Sequence, residues 1–213
     1  MLRINNLNHS FEDKVIFNNA ELEINDGEII WLKGENGSGK TTLFRILAGI
    51  LEPSNTETLS LCFNNTNIDL STLKNHVNFI PNRPYLFEYL SGKDNITYLV
   101  SLFDLDKKYE QIMENMKVLN LSSDLELEVH AYSLGMKAKL YLGVMLERDT
   151  SIILIDEILS SIDAEALKII IGFLEKKLIE QKCSIIFSSH VQMMEKIENT
   201  KCLFVTNERL EKV

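Results

Sequence analysis

The sequence predicts an α/β protein with a mostly parallel sheet, an N-terminal antiparallel β subdomain and an inserted helical subdomain. Apolar segments of strand length alternate with helical patterns over most of the 213 residues. Two segments, IILI (152–155) and SIIFSS (184–189), have almost no polar interruption, which is typical of parallel strands covered on both faces. Between 81 and 149 strand-like segments give way to helical periodicity, so this region is the predicted insertion.

The predicted elements follow from apolar periodicity. The strand candidates are 2–9, 14–24, 28–33, 57–63, 76–80, 151–155, 183–188 and 201–206. The first three are closely spaced and more alternating, which predicts antiparallel strands with one wet face. The helix candidates are 39–50, 93–104, 107–120, 133–148, 163–181 and 191–198. In 133–148 a spacing of three and four residues predicts one buried face, made of Leu134, Ala138, Tyr141, Leu142 and Met145.

Composition limits the classes of protein that remain. Apolar residues make up 45% and charged residues 25%, which indicates a globular chain with a core, and we expect one domain over 1–213 with a helical subdomain at about 83–149. The net charge of -9 argues against nucleic acid as the main ligand. Three cysteines in apolar stretches, without CxxC spacing, predict buried reduced thiols in a cytoplasmic protein. We expect neither a secretion signal nor a membrane-spanning segment.

A glycine-rich loop is the strongest functional signal. GENGSGKTT (34–42) matches G-x-x-x-x-G-K-[ST] between a predicted strand and a predicted helix. Glycines let backbone N–H groups approach phosphate oxygens, and the helix N-terminus adds a partial positive charge. Lys40 is expected to bridge the terminal phosphates and the Thr41 hydroxyl to ligate Mg²⁺. The predicted nucleotide-binding residues here are Asn36, Gly37, Ser38, Gly39, Lys40, Thr41 and Thr42.

Two further motifs end buried strands. Asp156 and Glu157 follow IILI, and adjacent acids at the rim of an apolar core are costly unless something pairs with them. We expect Asp156 to hold the magnesium ion and Glu157 to orient or deprotonate the attacking water; otherwise they start a loop or cap the next helix. His190 follows the strand 184–187 at the carboxyl edge of the sheet, where it would sense the γ-phosphate or be a satisfied core or cap residue.

In motif order and over nearly its whole length, the chain resembles the ATP-binding subunit of ATP-binding cassette (ABC) transporters. Residues 34–42 resemble the Walker A loop, IILIDE (152–157) Walker B, 160–163 the D-loop and YSLGM (132–136) the family signature. The resemblance implies ATP and Mg²⁺ as ligands. It implies catalytic roles for Glu157, His190 and Lys40, contact of Ser133 and Gly135 with the γ-phosphate bound by a partner subunit, and nucleotide binding by Asp163 of the D-loop. Phe11 falls where the family has an aromatic that stacks on adenine; as a core aromatic it would look the same in sequence.

The sequence departs from the family pattern at several positions. Leu134 and Met136 replace a Gly and the Gln of the signature, and Ser133 is also a suitable helix N-cap. Asn82 replaces the Q-loop glutamine that reaches the magnesium shell, and its alternative role is that of a turn former between two prolines. Ile158 stands where a Pro often follows the catalytic Glu.

The resemblance also implies partners. Two cassettes, identical or different, would close head to tail on ATP, and integral-membrane permease subunits would be separate chains, so we expect a cytoplasmic protein peripheral to the inner face of the membrane. Tyr85, Phe87 and Tyr89 follow the Q-loop position and are expected either to receive a cytoplasmic helix of the permease or to fill the helical core. The short stretch after the His190 helix is typical of export-type subunits.

Three alternatives remain open from sequence. One is a soluble ABC-type ATPase that acts on DNA or ribosomes, although the long insertions or paired cassettes of such proteins do not fit in 213 residues. Another is a GTPase or small-molecule kinase, although N-K-x-D is absent and YSLGMK would stay unexplained. The third is a degenerate cassette that binds ATP with little turnover.

Overall fold

A computed structural model describes residues 1–189 and 199–212. His190 and the candidate helix 191–198 lie outside the described residues. The strands are β1 Leu2–Phe11, β2 Lys14–Ile24, β3 Ile29–Lys33, β4 Ser60–Phe63, β5 Thr66–Asn67, β6 Val77–Ile80, β7 Ile152–Asp156, β8 Ser184–Ser188, β9 Lys201–Thr206 and β10 Arg209–Lys212. The helices are α1 Lys40–Leu47, α2 Leu70–Leu73, α3 Gly92–Leu102, α4 Tyr109–Val118, α5 Leu134–Met145 and α6 Ala164–Gln181.

The chain divides into two compact units. The first comprises Met1–Phe79, Thr150–Glu157 and the described part of Lys177–Val213; the second comprises Ile80–Asp149 and Ile158–Lys176. The predicted helical subdomain at 83–149 lies within the first segment of this second unit. Among the described residues, no helix combines the length and the apolar character needed to cross a membrane.

The first unit contains two sheets that share a core with α1. One sheet has the order β2-β1-β4-β5 and the other the order β10-β9-β3-β8-β7-β6. β7 and β8 pair in parallel and are buried along their whole length. Strands that are covered on both faces need apolar residues at nearly every position, which explains their uninterrupted apolar sequences. The α1 side chains Leu43, Phe44 and Leu47 are fully buried in this core.

Strand pairing confirms the predicted fold class and corrects one detail. β1 and β2 pair antiparallel, as their alternating pattern predicts. The antiparallel prediction for 28–33 is wrong, because β3 pairs in parallel with both β8 and β9. IIWL is buried at successive positions, which is the pattern of a central parallel strand.

The second unit is helical, and capping serines lie at the start of two of its helices. Ser91 accepts from the Asp94 N–H to start α3, and Ser133 accepts from the Met136 N–H to start α5. Ala138, Tyr141, Leu142 and Met145 are buried as predicted. Leu134 is 74% exposed, so its prediction as a core residue is wrong; it lies in the first turn of α5, before the helix enters the core.

The cysteines are free, and the prediction that all three are buried holds only in part. Cys183 is buried, and its pKa is raised to about 11 by that burial. Cys62 and Cys202 are only half-buried.

Candidate functional site

The loop between β3 and α1 forms a cradle that requires glycine. Gly39 has a φ of 112°, and a Cβ added there would lie 2.6 Å from Ile16 Cγ2 and 3.2 Å from Phe17 Cζ. A Cβ on Gly34 would lie 2.6 Å from Ser38 Oγ and 2.9 Å from the Val205 carbonyl oxygen. The two glycines therefore let the loop pass close to neighbouring strands and still turn into α1.

The cradle carries polar groups that suit a phosphate chain. Gly39, the N-cap of α1, has no side chain, so the first N–H groups of this helix are not covered by a capping oxygen. Ser38 Oγ is buried and has no hydrogen-bond partner among the described residues. The Lys40 ammonium donates to the Gly34 and Glu35 carbonyl oxygens at 2.8 and 3.1 Å. The phosphate oxygens of a ligand could accept hydrogen bonds from the first N–H groups of α1, from the Ser38 hydroxyl and from the Lys40 ammonium.

Asp156 joins three elements at the carboxyl edge of the parallel sheet. It is 2% exposed; Oδ2 accepts from the Thr41 hydroxyl at 2.7 Å and Oδ1 from the Ser188 hydroxyl at 2.7 Å. Thr41 lines the cavity described below, and its hydroxyl beside a buried carboxylate is an oxygen donor set that suits Mg²⁺, which is usually held by one or two carboxylates and substrate phosphates. The Ser188 contact was not predicted from sequence, although the serine stands at the end of an apolar segment.

Glu157 stands beside Asp156 in an unusual backbone conformation. Its φ is 55°, a left-handed value that is uncommon outside glycine, and its N–H donates to the Ser188 carbonyl oxygen at 2.9 Å. The side chain lines the cavity over the cradle. Helix α6 is capped by Asp163, so the suggestion that these acids cap the next helix is wrong.

A cavity of about 310 Å³ lies over the cradle. Its lining combines the loop and α1 start (Asn36, Gly37, Gly39, Lys40, Thr41, Thr42), the β1–β2 hairpin (Phe11, Lys14, Ile16) and Glu157. Phe11 is 49% exposed, so the reading of Phe11 as a core aromatic is wrong. Lys14, which was not foreseen, donates to the Gly37 carbonyl oxygen at 3.3 Å.

The predicted nucleotide-binding residues Ser133, Gly135 and Asp163 lie in the second unit. Ser133 is exposed and caps α5, as its alternative reading predicted. A Cβ on Gly135 would lie 2.8 Å from the Ser161 carbonyl oxygen, so this position requires glycine for close packing of the start of α5 against residues 160–163. Asp163 accepts from the Ala166 N–H at 2.9 Å, and this bond lowers the pKa of its carboxyl, with help from Lys139 at 3.4 Å.

No contact among the described residues connects Asn82 or His190 to the cluster around Asp156. Asn82 is exposed in a bend of the second unit, and its predicted role toward magnesium stays a prediction. His190 lies outside the described residues, which reach Ser189 on that side; the Ser189 carbonyl oxygen accepts from the Trp31 indole at 3.1 Å.

Comparison with known proteins decides the family. The family described as ABC transporter matches residues 17–160. The chain belongs to the ABC transporter family. The glycine cradle, Asp156 and Glu157 all lie within the matched segment of this ABC cassette.

Individual relatives of this ABC cassette are distant in sequence. It is 27% identical over 191 residues to the uncharacterized ABC transporter ATP-binding protein YhcH of Bacillus subtilis, covering 90% of this chain and 62% of YhcH. It is 28% identical over 212 residues to the cytochrome c biogenesis ATP-binding export protein CcmA of Reclinomonas americana, covering 99% and 94%. It is 29% identical over 198 residues to the Fe(3+) ions import ATP-binding protein FbpC 2 of Haemophilus influenzae, covering 89% and 54%. The chain thus spans less than two thirds of the length of several relatives.

Solved structures share the fold. An ATP-binding subunit of an ABC transporter superposes with a TM-score of 0.85 at 20% identity, covering 100% of this chain and 89% of that one. The ATP-binding cassette MJ0796, solved as a dimer in a post-hydrolysis state with ADP and Pi, superposes with a TM-score of 0.80 at 18% identity, covering 100% and 98%.

Proposed function

We propose that this ABC cassette binds and hydrolyses ATP to power translocation of a substrate through separate transmembrane subunits. The observation that carries the proposal is the Thr41–Asp156–Ser188 cluster at the mouth of the glycine cradle, with Glu157 on the cavity wall. A fold alone does not imply an activity, but this arrangement of donors and acids matches what phosphoryl transfer requires.

Each residue of the site has a defined task in hydrolysis. The cradle N–H groups, Ser38 and Lys40 bind the phosphates, and Phe11 offers a half-exposed ring to the base. Thr41 and Asp156 would hold Mg²⁺, which when bound neutralises charge on the phosphates. Glu157 orients water and accepts its proton as general base.

The dimer is part of the same proposal. Ser133 and Gly135 are proposed to reach the nucleotide of a second cassette, identical or different, and His190 to sense its γ-phosphate. The exposure of Ser133 and of Leu134 beside it supports a role toward another subunit. Closure on ATP and release after hydrolysis would then alternate the transporter between two states.

Glu157→Gln tests the catalytic part of the proposal. Loss of the base should reduce ATP hydrolysis on the order of 10²–10⁴-fold and stabilise an ATP-bound dimer. Glu165→Gln, an exposed glutamate in the first turn of α6, is the matched control and should keep wild-type turnover. If the wild-type chain binds ATP but does not turn it over even with its permease, the chain is a degenerate cassette.

The permease is proposed to dock on an exposed aromatic loop. Tyr85, Phe87 and Tyr89 are 60%, 49% and 85% exposed, so the alternative that they fill the helical core is wrong. Asn95, 1% exposed, holds the loop: its Oδ1 accepts from the Phe87 N–H at 2.8 Å, and its Nδ2 donates to the Phe87 carbonyl oxygen at 3.0 Å. Glu88 is paired with Lys137 of α5 at 2.7 Å.

This loop is therefore apolar, accessible and rigidly held, which suits binding of a preformed partner segment at low entropic cost. Alanine at Tyr85 and Phe87 should abolish transport while basal ATP turnover persists. Ile179→Ala, which truncates an apolar side chain that is 79% exposed on α6, should leave both unchanged. Loss of folding in the Tyr85 and Phe87 variants would contradict the docking role.

Location and direction complete the proposal. We place the cassette on the cytoplasmic side of the cell membrane, bound to the permease, with export as the direction. CcmA, the relative matched over 94% of its length, is named an export protein, whereas FbpC 2, named an import protein, is matched over 54%. Co-purification from membranes and identification of the bound integral subunit tests this; recovery of ribosomes or DNA instead would favour a soluble ABC-type ATPase.

A further inference from the structure

His9 is a buried histidine that the site described so far does not use. It is 5% exposed, and neither Nδ1 nor Nε2 has a hydrogen-bond partner among the described residues. Burial lowers the pKa of the imidazole, so the ring is uncharged at neutral pH. Burying two polar nitrogens without partners costs free energy, so the polarity of this ring does not stabilise the fold.

The contacts of His9 lead to the nucleotide cavity. Its ring lies 4.6 Å, centroid to centroid, from the Phe11 ring, with an interplanar angle of 85°. This edge-to-face arrangement is one of the favourable geometries of aromatic pairs. On the neighbouring strand His9 is opposite Phe17, whose ring tip borders the Gly39 position. His9 is therefore paired in register with a residue that borders the cradle, and its ring contacts the half-exposed ring at the cavity wall.

The strand around His9 is held from the side of the 54–55 loop. The Asn8 N–H donates to Asn55 Oδ1 at 2.9 Å, and the Asn8 carbonyl oxygen accepts from the Ser54 N–H at 3.0 Å. The Ser10 N–H donates to Ser54 Oγ at 3.1 Å. Because the backbone is tied on both sides of His9, its ring is a fixed support, whereas Phe11 projects half into solvent.

We propose that His9 is a positioning residue that holds the Phe11 ring at the angle at which it stacks on the base of the nucleotide. The inference rests on the proposed nucleotide function. His9 acts through Phe11 and touches neither the phosphates nor the base. Its loss should therefore weaken recognition of the base and leave recognition of the phosphates intact.

The test compares ATP with inorganic tripolyphosphate, both with Mg²⁺, by calorimetry on the purified chain. His9→Ala should weaken ATP binding by about 2- to 10-fold, the range expected for one aromatic pair, with unchanged tripolyphosphate binding. His9→Phe, which restores an aromatic edge, should recover wild-type affinity. His76→Ala is the matched control, because His76 lies against Phe63 at the same 4.6 Å centroid distance but outside the cavity lining, and it should bind both ligands normally.

A double-mutant cycle decides whether His9 acts through Phe11. His9→Ala combined with Phe11→Ala should bind ATP no more weakly than Phe11→Ala alone. Additive losses of ATP affinity in the double variant would overturn the inference. Equal losses of ATP and tripolyphosphate affinity in His9→Ala, or no loss of ATP affinity, would also overturn it. So would a His9→Phe variant that binds ATP as weakly as His9→Ala. If His9→Ala does not fold, His9→Leu fills the space without an aromatic edge and takes its place. Failure of wild-type protein to bind either ligand would refute the proposed function itself.

Discussion

Gly39→Ala is the substitution whose cost follows most directly from the structure. At a φ of 112° an L-residue is strained, which costs about 1–2 kcal/mol. The added Cβ would lie 2.6 Å from Ile16 Cγ2, and overpacking of this kind costs about 1–3 kcal/mol. The sum is about 2–5 kcal/mol in the free energy of unfolding, a drop of roughly 4–20 °C in melting temperature for a chain of this size.

Two controls separate the backbone cost from the packing cost. Gly27 has a φ of 69° but its Cβ would meet nothing nearer than 4.0 Å, so Gly27→Ala carries only the backbone part, about 1–2 kcal/mol. Gly172 lies inside α6 with open space around its Cβ position, and Gly172→Ala should stabilise by up to about 1 kcal/mol through helix propensity.

Thermal unfolding followed by circular dichroism provides the measurement. Gly39→Ala should melt lowest, Gly27→Ala next, and Gly172→Ala at or above wild type. In the Gly39→Ala background, Ile16→Ala removes the clashing methyl, so the double variant should be more stable than the sum of the two single losses predicts. If Gly39→Ala has the same melting temperature as Gly27→Ala, the packing argument is refuted.

Three further predictions concern other parts of the cassette. Asp163→Ala removes the α6 cap and should lower the free energy of unfolding by about 1 kcal/mol at pH 7. Because the folded-state pKa of this carboxyl is lowered, the stability difference between wild type and variant, measured by urea titration, should shrink as pH falls below about 4. Asn95→Ala removes the acceptor of the Phe87 N–H and leaves the Phe87 carbonyl oxygen with only the Leu90 N–H, so it should cost roughly 1–3 kcal/mol and speed hydrogen exchange in the aromatic loop. Normal exchange there would contradict the holding role of Asn95. Cys183, with its pKa raised to about 11, should be alkylated at pH 8 roughly 100-fold or more slower than in the urea-unfolded chain, measured by mass mapping.

The elements that were predicted correctly carry long, periodic runs of apolar residues. The strands at 152–156 and 184–188 and the helices at 109–118 and 164–181 all follow from runs of apolar residues at fixed spacing. β5, β10 and α2 were missed because two to four residues are too short to show a period. The parallel pairing of β3 was misjudged from its neighbours in the chain, since its partners β8 and β9 are more than 150 residues away.

The placement of side chains at element ends was less predictable. Leu134 fits the helical spacing of its neighbours, but the first turn of a helix lies at the surface more often than its middle, and here it is exposed. Phe11 fitted two interpretations in sequence; its exposure beside the cradle excludes the core aromatic, and its stacking on the base stays a prediction.

By itself the sequence determined the phosphate cradle, because its glycines, its lysine and the start of α1 lie within nine consecutive residues and their chemistry is local. Only the tertiary structure decided that Thr41, Asp156 and Ser188 share one hydrogen-bonded cluster and that the His9 ring packs edge-to-face against the Phe11 ring. Thr41 and Asp156 are 115 residues apart in the chain. Strand order in the parallel sheet and the irregular register of β1 against β2 bring such residues together, and both arise from long-range packing that no local pattern encodes.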